Sequence, residues 1–489
     1  MTGWQSRQFL EAELTKVDAR LLIDPQAIEV RFDRAVILRE LGRTQEATKA
    51  YLELLALAPT HFGALNNLGA LAMETGFQTA ARTAYLETVK HHPEHPAGHV
   101  NLANAYAHAN DVEAARRHFD IALRLAPDHP EAHQGLSRLL AELGDEHAAR
   151  EHRIKGFRNQ SIKILPYRGA GRPIALLVLA AAAGGAVPIW QHLDDRLFFT
   201  TVLFVDFYDP TLPFPAHDLV FNAIGDADLV QPELVAATEI LRRTTAPIIN
   251  LPSRVMLTGR ATNAARMAGL PGVVAPKMER LSRSFLSRDD AAMALVNRGF
   301  NFPLLLRSPG FHNGDFFVRV ASADALSATL SIIPGDQLMV IQFLDARSAD
   351  RKVRKYRVML IDGKIFPLHV AISHDWKIHF VTAEMAEDVN NRAEDQAFLA
   401  NMPQVLGSRA MAGLEQIRQQ LGLDYAGVDF SLNAAGDVLL FEANATMVVN
   451  PPDADPKWDY RRLAVQRILT AIREMLTTRA PRPLASSNP

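Results

Sequence analysis

The chain has 489 residues, which is too long for one hydrophobic core, so about two to four domains are expected. Its 52 Lys and Arg against 54 Asp and Glu leave a net charge of −2, which excludes a strongly basic nucleic-acid-binding protein. It has no cysteine, which excludes disulfides, thiolate metal sites and a cysteine nucleophile and agrees with an expected cytoplasmic location. Acidic residues near the N-terminus stand where a signal peptide needs an apolar segment, so no secretion signal is expected.

The first third of the chain repeats with a period of 34 residues. Residues that recur at this interval are Pro59, Pro93 and Pro127, the small residues Ala47, Ala81, Ala115 and Ala149, and the aromatic residues Tyr51, Tyr85 and Phe119. A small residue early in a second helix, an aromatic residue after it and a terminal proline resemble the signature of tetratricopeptide repeats. Each unit is then a helical hairpin, and the units stack into an all-α solenoid.

This region divides into a cap and a set of repeats. Residues 1–27 are predicted to form an N-terminal cap helix around Trp4, Phe9, Leu10 and Leu14, and residues 28–157 to form the repeats. Arg153 replaces the aromatic residue in the last unit, as expected of a terminal repeat that faces solvent. The concave surface of the repeats is expected to hold a peptide or a partner protein. The alternative is that the repeats dock onto the next domain or form a homodimer.

Eleven of the 17 histidines lie between His61 and His152. His91, His95 and His99 have a helical ligand spacing, but Pro93 and Pro96 interrupt the helix that they would need. The histidines are therefore interpreted as exposed residues of the repeat surface rather than as a metal site.

A basic and polar segment with two glycines and two prolines, residues 158–172, predicts a linker. Beyond it, short apolar runs and one helical pattern predict an α/β domain with a mainly parallel sheet over residues 173–260. The predicted strands are 174–180, 197–206, 218–222 and 248–251, and the predicted helix is 231–243.

The apolar run 174–190 has the composition of a short membrane span but is interrupted by Gly184, Gly185 and Pro188. It is interpreted as a buried strand that enters a glycine turn. Asn222 lies at the carboxyl end of a later strand, where open α/β sheets bind ligands, and is a candidate substrate-binding residue. The alternative is that Asn222 forms a turn.

Two apolar runs near the end of the chain, 426–432 and 438–443, flank a turn and predict a β-hairpin. With Ala435 and Gly436 as the turn, Asp429 lies opposite Glu442 and on the same face as Asn444. Three oxygen donors on one face suit Mg²⁺, which takes further ligands from water and nucleotide phosphates. The alternative is the solvated face of an ordinary hairpin.

This hairpin resembles the metal-binding end of the ATP-grasp ligases, the class of glutathione synthetase and the ribosomal-protein glutamate ligase. Upstream segments resemble the same class in the same order: a small α/β domain, a glycine-rich hairpin, an adenine-binding strand and an arginine-bearing strand. The resemblance implies a multidomain chain, with the all-α solenoid followed by an α/β pre-ATP-grasp domain at 173–260 and an α+β ATP-grasp domain at 261–476. It implies ATP and Mg²⁺ as cofactors, with Asp429, Glu442 and Asn444 as metal ligands.

The resemblance also assigns nucleotide-binding residues. Arg307 ends the predicted strand 302–307, at a position where the class normally has lysine, and would contact phosphate beside a loop that contains Gly310 and Gly314. The predicted strand 338–344 would pair with adenine through Gln342, Phe343 and Leu344, with Asp345 near the ribose. Gln342 replaces the usual acidic residue, but its amide oxygen can still accept a hydrogen bond.

Catalytic and substrate residues follow from the next segment. Two strands are predicted around an Asp362-Gly363 turn, with a third strand after them, and alternation places Lys355 and Arg357 on one face. The resemblance implies that Arg357, with Arg307, stabilises an acyl-phosphate. His374 and Lys377 would face the substrate, although the glycine pair that often follows in the class is absent here.

The resemblance implies an ATP-dependent carboxylate–amine ligase whose repeats recruit a peptide or protein substrate. One alternative is an ATP-grasp kinase that phosphorylates a small molecule. A second is a scaffold protein with a degenerate ATP-grasp domain, which the substitutions at Arg307 and Gln342 favour. No nucleic-acid or membrane partner is expected, and residues 477–489 are predicted to form a disordered tail.

Overall fold

The structure, a computed structural model, describes residues 7–189, 193–309, 316–378, 380 and 383–481. The chain divides into two compact units, residues 1–177 with 194–216 and residues 178–193 with 217–489. Within the part of the chain that is described, no helix combines the length and apolar content needed to cross a membrane.

The first unit begins with an all-helical region, which confirms the predicted fold class for this part of the chain. Its described residues form nine helices before the first strand: α1 (Arg7–Ile23), α2 (Ile28–Glu40), α3 (Thr44–Leu57), α4 (Phe62–Glu74), α5 (Gln78–His91), α6 (Pro96–His108), α7 (Val112–Leu125), α8 (Pro130–Glu142) and α9 (Glu146–Phe157). From α2 onward they pack in pairs as four helical hairpins.

The 34-residue period explains how each hairpin closes. The small residues of the repeat are fully buried between the helices, and the aromatic residues fill the space beside them: Ala47, Ala81, Ala115 and Ala149, with Tyr51, Tyr85 and Phe119. The turn inside each hairpin has one residue in the left-handed conformation: Gly42, Gly76, Asn110 and Gly144, which are again 34 residues apart.

Two predictions about the ends of the helical region are wrong in part. In α1, Leu10 and Leu14 are buried as predicted, but Phe9 is 49% exposed, and Trp4 lies outside the described residues. Arg153 is buried rather than solvent-facing, and its guanidinium donates to Glu146 at 3.0 Å. Arg153 is therefore buried at the position where the other repeats have an aromatic residue, and the exposed Glu146 pairs with its charge.

The predicted exposure of the repeat histidines is also wrong for four of them. His99 and His133 are buried, and each forms a hydrogen bond across its hairpin, His99 with His118 and His133 with His152. Burial lowers the pKa of all four imidazoles below the usual value.

The predicted linker at 158–172 contains a strand. Strand β1 (Ile162–Ile164) pairs antiparallel with β3 (Phe198–Phe204), and β2 (Ile174–Ala180) lies between them in sequence. The end of the repeats packs on the same strand, because the Phe157 ring contacts the rings of Phe204 and Phe207 at centroid distances of 4.7 and 5.6 Å. Alternating Ile and Lys is a strand pattern that the nearby glycines and prolines obscured.

The boundary between the two units falls within β2, whose bounds agree with the predicted strand. In the second unit β4 (Leu219–Asn222) pairs in parallel with β5 (Ile248–Ile249), and the helix α10 (Gln231–Ile240) lies between them in sequence. Two helices follow, α11 (Pro252–Val255) and α12 (Arg260–Met267).

Two further sheets lie within the second unit. Their strands are β6 (Val273–Val274), β7 (Met278–Ser282), β8 (Leu304–Arg307), β9 (Phe317–Val320), β10 (Gln337–Gln342), β11 (Val353–Ile361), β12 (Lys364–Ser373), β13 (Tyr425–Leu432) and β14 (Val438–Asn444). The four-stranded sheet is antiparallel and has the order β7-β10-β8-β9, and the five-stranded sheet has the order β12-β11-β13-β14-β6. Only the β14–β6 pair of the second sheet is parallel among the described pairings.

Helices complete the second unit: α13 (Arg283–Leu286), α14 (Ala291–Asn297), α15 (Ala325–Ile332), α16 (Val389–Ala400), α17 (Met402–Leu421) and α18 (Asp459–Arg479). The third strand predicted after β12 is not formed by the described residues 374–378, which are bends and loop. The predicted disordered tail begins too early, because α18 continues to Arg479, whose side chain pairs with Asp362 and Asp424.

Candidate functional site

The site is built on the β13–β14 hairpin, where Asp429 lies opposite Glu442 as predicted. The turn differs from the predicted one. Leu432 pairs with Val438, and the Asn433 N–H donates to the Asp437 carbonyl at 3.1 Å, so the loop is one residue longer than expected. A β-bulge at Phe441 offsets this residue and restores the predicted pairing of the two carboxylates.

Asp429 is buried and neutralised by two cations of the neighbouring strand β11. Its carboxylate accepts from Arg357 Nε at 2.5 Å and from Arg357 Nη2 at 2.7 Å, and Lys355 Nζ lies 3.3 Å away. Burial alone would raise the pKa of Asp429, but the charges of Arg357 and Lys355 hold it well below the usual value. The predicted common face of Lys355 and Arg357 is therefore confirmed, and Asp429 is ionised.

His369 on β12 lies opposite Arg357 and was not identified from the sequence. It is buried, and its ring contacts Phe380 at a centroid distance of 4.8 Å. Burial and the charge of Arg357 lower its pKa well below the usual value, so the imidazole is neutral. The neutral His369 itself thus adds no positive charge to the cluster.

Glu442 pairs with Arg260, the first residue of α12. Arg260 Nη2 lies 3.0 Å from Glu442 Oε1, and Arg260 Nη1 lies 3.2 Å from Asp228 Oδ2. Burial would lower the pKa of Arg260, but Glu442, Asp226 and Asp228 outweigh it and raise the pKa. The position of Arg260 at the start of α12 is a signal that sequence analysis could have used. A cation there is opposed by the helix macrodipole, so nearby carboxylates are expected.

Arg307, at the end of β8, belongs to the same charge cluster. Burial and the charge of Arg260 lower the pKa of Arg307 below its usual value. The carboxylates of Glu442, Asp226 and Asp228 offset only part of this shift. Its guanidinium carbon lies 5.9 Å from the centroid of the Phe317 ring. The charge of the predicted metal ligand Glu442 therefore acts on Arg307.

An open recess with about 310 Å³ of space, solvent included, lies beside β14. Arg260, Asn263, Glu442 and Asn444 are among its lining residues. Asn263 donates to the Ala443 carbonyl at 2.6 Å, but its Oδ1 atom, like the Nε atom of Arg260, is buried without a hydrogen-bond partner among the described residues. Two residues that line the recess thus each have one buried polar atom that is not satisfied within the described part of the protein.

Asn444 lies at the end of β14 in a local turn. Its Oδ1 atom accepts from Thr446 N at 3.0 Å and from Thr446 Oγ1 at 2.8 Å. Asn444 and Glu442 nevertheless both line the recess, whereas the two oxygens of Asp429 are held by Arg357. The three predicted metal ligands therefore share one end of the sheet but differ in what they already bind.

The predicted adenine strand ends at Gln342, the first of the three residues assigned to adenine. Strand β10 stops at Gln342, whose Oε1 atom accepts from the Lys277 backbone N–H at 3.1 Å. Phe343 and Leu344 follow the strand and are half-buried, with the Phe343 ring 4.8 Å from the guanidinium carbon of Arg319. Asp345 pairs with Arg347, which lowers its pKa. Gly310 and Gly314 lie outside the described residues.

The three predicted substrate residues, Asn222, His374 and Lys377, are not among the described residues that line the recess. Asn222 is buried and uses both amide atoms on the backbone, donating to the Asn250 carbonyl at 2.9 Å and accepting from Ile224 N at 3.2 Å. Asn222 therefore forms a local turn, as the alternative prediction for this residue had it. His374 and Lys377 are exposed on the loop after β12.

Asn250 was missed by sequence analysis and positions the start of β13. It has a positive φ of 58°, and its Oδ1 atom accepts from the N–H groups of Asp424 and Tyr425, both at 2.9 Å. Its Nδ2 atom donates to the Tyr425 carbonyl at 2.7 Å. Asn222 therefore supports Asn250, and Asn250 holds the strand that carries Asp429.

Comparison with known proteins identifies the helical region. The tetratricopeptide repeat family model matches residues 32–96, 66–130 and 101–152. Similar solved structures include MamA (41-end) from Desulfovibrio magneticus RS-1, with 23% identity, 31% of this chain and 85% of that chain covered and a TM-score of 0.29. Another is a thermophilic TPR protein of Thermus thermophilus, with 22% identity, 31% and 82% covered and a TM-score of 0.27.

A third similar structure is PilF of Pseudomonas aeruginosa, with 22% identity, 31% of this chain and 68% of that chain covered and a TM-score of 0.29. No curated protein matches the sequence. Repeats of the matched family stack into extended surfaces that bind other proteins. Residues 32–152 of this chain are therefore tetratricopeptide repeats, followed by a mixed α/β region.

Proposed function

We propose that the second unit binds ATP with Mg²⁺ and that the chain is an ATP-dependent carboxylate–amine ligase. The observation that carries the proposal is the alternation of charge around one recess. Glu442, Asn444 and Arg260 line the recess, and Arg307 is near enough for the charges of Glu442 and Arg260 to act on it. A metal–triphosphate complex presents the complementary pattern of one cation and several anionic oxygens.

The residues fit this ligand in part. Glu442 and Asn444 would hold Mg²⁺. Asn263 lies beside them in the lining of the recess, and its Oδ1 atom has no hydrogen-bond partner among the described residues. Asp429 already accepts hydrogen bonds from Arg357 through both oxygens, so its role in the proposed site is to position Arg357. When bound, Mg²⁺ supplies neutralisation of the phosphate charges.

The three arginines divide into two roles. Arg260 has a buried Nε atom without a partner among the described residues, and with Arg307 it would bind phosphate oxygens. Arg357 is fixed in direction by Asp429 and would stabilise the negative charge of an acyl-phosphate and of the tetrahedral species that follows. The neutral His369 opposite Arg357 leaves the local charge to the arginine.

The reaction needs no nucleophilic side chain. The γ-phosphoryl group of ATP passes to a substrate carboxylate, which gives an acyl-phosphate and ADP. An amine then attacks the acyl carbon, the amide bond forms, and inorganic phosphate leaves as the C–O bond breaks. The repeats would bring a peptide or protein to this site, so the protein supplies positioning and charge neutralisation.

The test is calorimetric titration of the full chain with ATP and Mg²⁺, compared with Glu442→Ala and with Glu474→Ala, an exposed residue of α18. We expect magnesium-dependent binding in the wild type and in Glu474→Ala, and its loss in Glu442→Ala. Absence of binding in the wild type, or binding that Glu442→Ala leaves unchanged, contradicts the proposal.

A second candidate function is a protein-binding scaffold whose nucleotide site does not turn over. The observation that favours it is the ion pair of Asp429 with Arg357 and Lys355, which satisfies the carboxylate without a metal. Product analysis separates the candidates. A ligase releases ADP and phosphate together when both substrates are present, a kinase releases ADP without phosphate, and a scaffold releases neither.

A further inference from the structure

The turn between α5 and α6 brings together three side chains that can bind a metal ion. The segment reads His92-Pro93-Glu94-His95, and one donor atom of each of His92, Glu94 and His95 lies within 4.8 Å of the others. His95 Nε2 lies 3.4 Å from Glu94 Oε1, and His92 Nδ1 lies 3.9 Å from the same oxygen. Two imidazole nitrogens and a carboxylate are a common ligand set for Zn²⁺ with an open fourth position.

The hydrogen bonding of His92 fixes the tautomer that a metal requires. Its Nε2 atom contacts the Thr60 carbonyl in the turn before α4. A carbonyl only accepts, so Nε2 carries the proton and Nδ1 keeps its lone pair on the side of Glu94. Donation from the remote ring nitrogen to a backbone carbonyl is the usual arrangement for a metal-binding histidine, because it orients the ring and makes the free nitrogen more basic.

The turn is also held in place before any ion binds. Pro93 and Pro96 restrict its backbone, and the His95 N–H donates to the His92 carbonyl at 3.2 Å. The Phe62 ring contacts both imidazoles, with centroid distances of 5.5 Å to His92 and 4.5 Å to His95. The donor atoms therefore need little rearrangement, which reduces the entropic cost of binding.

The repeat itself indicates that His92 is not required for folding. The positions 34 residues before and after it are Ala58 and Ala126, and all three residues end a helix with similar backbone angles. The other turns keep the proline and one histidine, His61 and His129, but lack the first histidine. Of these three turns, the one with His92 has the complete set of donors.

We propose that His92, Glu94 and His95 form a surface site for a divalent transition-metal ion, with Zn²⁺ as the best match. Glu94 and His95 are exposed and His92 is half-buried, so the fourth position is open to water or to a side chain of a bound protein. This proposal departs from the interpretation of the repeat histidines as surface residues without a metal site, which was based on His91, His95 and His99 and did not consider His92 with Glu94.

The test titrates the full chain with ZnCl₂ by calorimetry, and with Co²⁺ by visible absorption, in a Glu442→Ala background that removes the proposed nucleotide-site ligand. His92→Ala installs the residue that the other repeats have, so its fold is expected to be unchanged, as circular dichroism checks. His91→Ala, one residue away and exposed, is the matched control. We expect one site per chain, weakened at least about tenfold by His92→Ala and by His95→Ala and unaffected by His91→Ala.

Two results overturn the proposal. One is zinc binding in His92→Ala that equals binding in the control. The other is a parent chain with no saturable site and no Co²⁺ absorption band. Because the site lies in the repeats, failure of ATP binding leaves this test intact, and failure of zinc binding leaves the proposed ligase intact.

Discussion

His133 Nδ1 lies 2.8 Å from His152 Nδ1 on the facing helix of the same hairpin, and its Nε2 atom lies 2.8 Å from the Pro127 carbonyl. The carbonyl requires a proton on Nε2, so His133 Nδ1 accepts and His152 Nδ1 donates. His99 and His118 repeat this arrangement one unit earlier, with Nδ1 atoms 3.0 Å apart. Protonation of both imidazoles of a pair would place two N–H donors opposite each other and break the hydrogen bond.

The first prediction concerns the pH dependence of the repeats. Burial lowers the pKa of His118 to about 4, below the unfolded value near 6.5, so the unfolded state binds more protons between these pH values. The stability contribution is complete above about pH 6.5 and decreases as the pH falls toward 4. Urea unfolding of the full chain at pH 7.5 and pH 5 measures the loss.

The preceding repeat provides the matched variant for this prediction. Leu65 and Ala84 occupy the positions equivalent to His99 and His118. The double variant His99→Leu, His118→Ala is expected to reduce the pH dependence, whereas the exposed His108→Ala is expected to leave it unchanged. Equal pH dependence in both variants contradicts a role for the buried pair.

The second prediction concerns the buried ion pair at the candidate site. Arg357→Ala leaves Asp429 with Lys355 alone, and removal of one partner of a buried pair should lower the free energy of unfolding by about 3 to 5 kcal/mol. Arg409→Ala removes an exposed partner of Asp437, whose charge water screens, and should cost much less. Chemical denaturation compares the two, and equal losses would refute the distinction.

The third prediction separates backbone strain from hydrogen bonding at Asn250. Asn250→Gly keeps the left-handed conformation but removes the side-chain bonds to residues 424 and 425, at a cost of about 1 to 3 kcal/mol. Asn250→Ala removes the same bonds and adds backbone strain, so it should cost about 1 kcal/mol more. Denaturation midpoints test the order, and an Ala variant at least as stable as the Gly variant contradicts it.

The fourth prediction concerns Asp395, which is buried between β12 and α18. Burial raises its pKa to about 6, although Arg461 and the hydroxyl of Tyr460 act in the opposite direction. The folded state then binds the proton more tightly than the unfolded state, so stability falls as the pH rises from about 4 to 6, by on the order of 2 to 3 kcal/mol.

Asp395→Asn tests this sign. The variant keeps an acceptor for the Val370 N–H and should not lose stability over that pH range. Because the histidine pairs have the opposite slope, the measurement uses a probe in the second unit, such as the fluorescence of Trp376 and Trp458. A wild-type signal that is independent of pH between 4 and 6 contradicts the prediction.

The helical region was predictable because its signals are local and repeated. Proline, small and aromatic residues at one interval predict the hairpins without knowledge of their partners. Arg153 was misinterpreted because residue polarity alone does not reveal that a charged side chain can be buried when a carboxylate of the same helix pairs with it. The histidine pairs carried a signal that was not used, since His99 and His133 align with the apolar Leu65.

Only the part of the candidate site that lies within one continuous hairpin could be predicted from the sequence. Alternation within one hairpin placed Asp429 opposite Glu442, although the true register depends on a longer loop and a bulge that cancel each other. The partners of these carboxylates, Arg357 and Arg260, lie 72 and 182 positions away in sequence, as 429 minus 357 and 442 minus 260. Contacts at such separations depend on the packing of whole elements, which periodicity does not encode.

The aromatic contact of Phe157 with Phe204 and Phe207 has a consequence for how the protein can be divided. A chain that starts at residue 158 loses Phe157 from these rings and exposes apolar surface on β3, while β1 stays paired with the same strand. The repeats are therefore not a detachable module at the point where composition changes. Cleavage or recombination at that point would remove the Phe157 ring from Phe204 and Phe207 and so divide one compact unit, which contains both the repeats and residues 194–216.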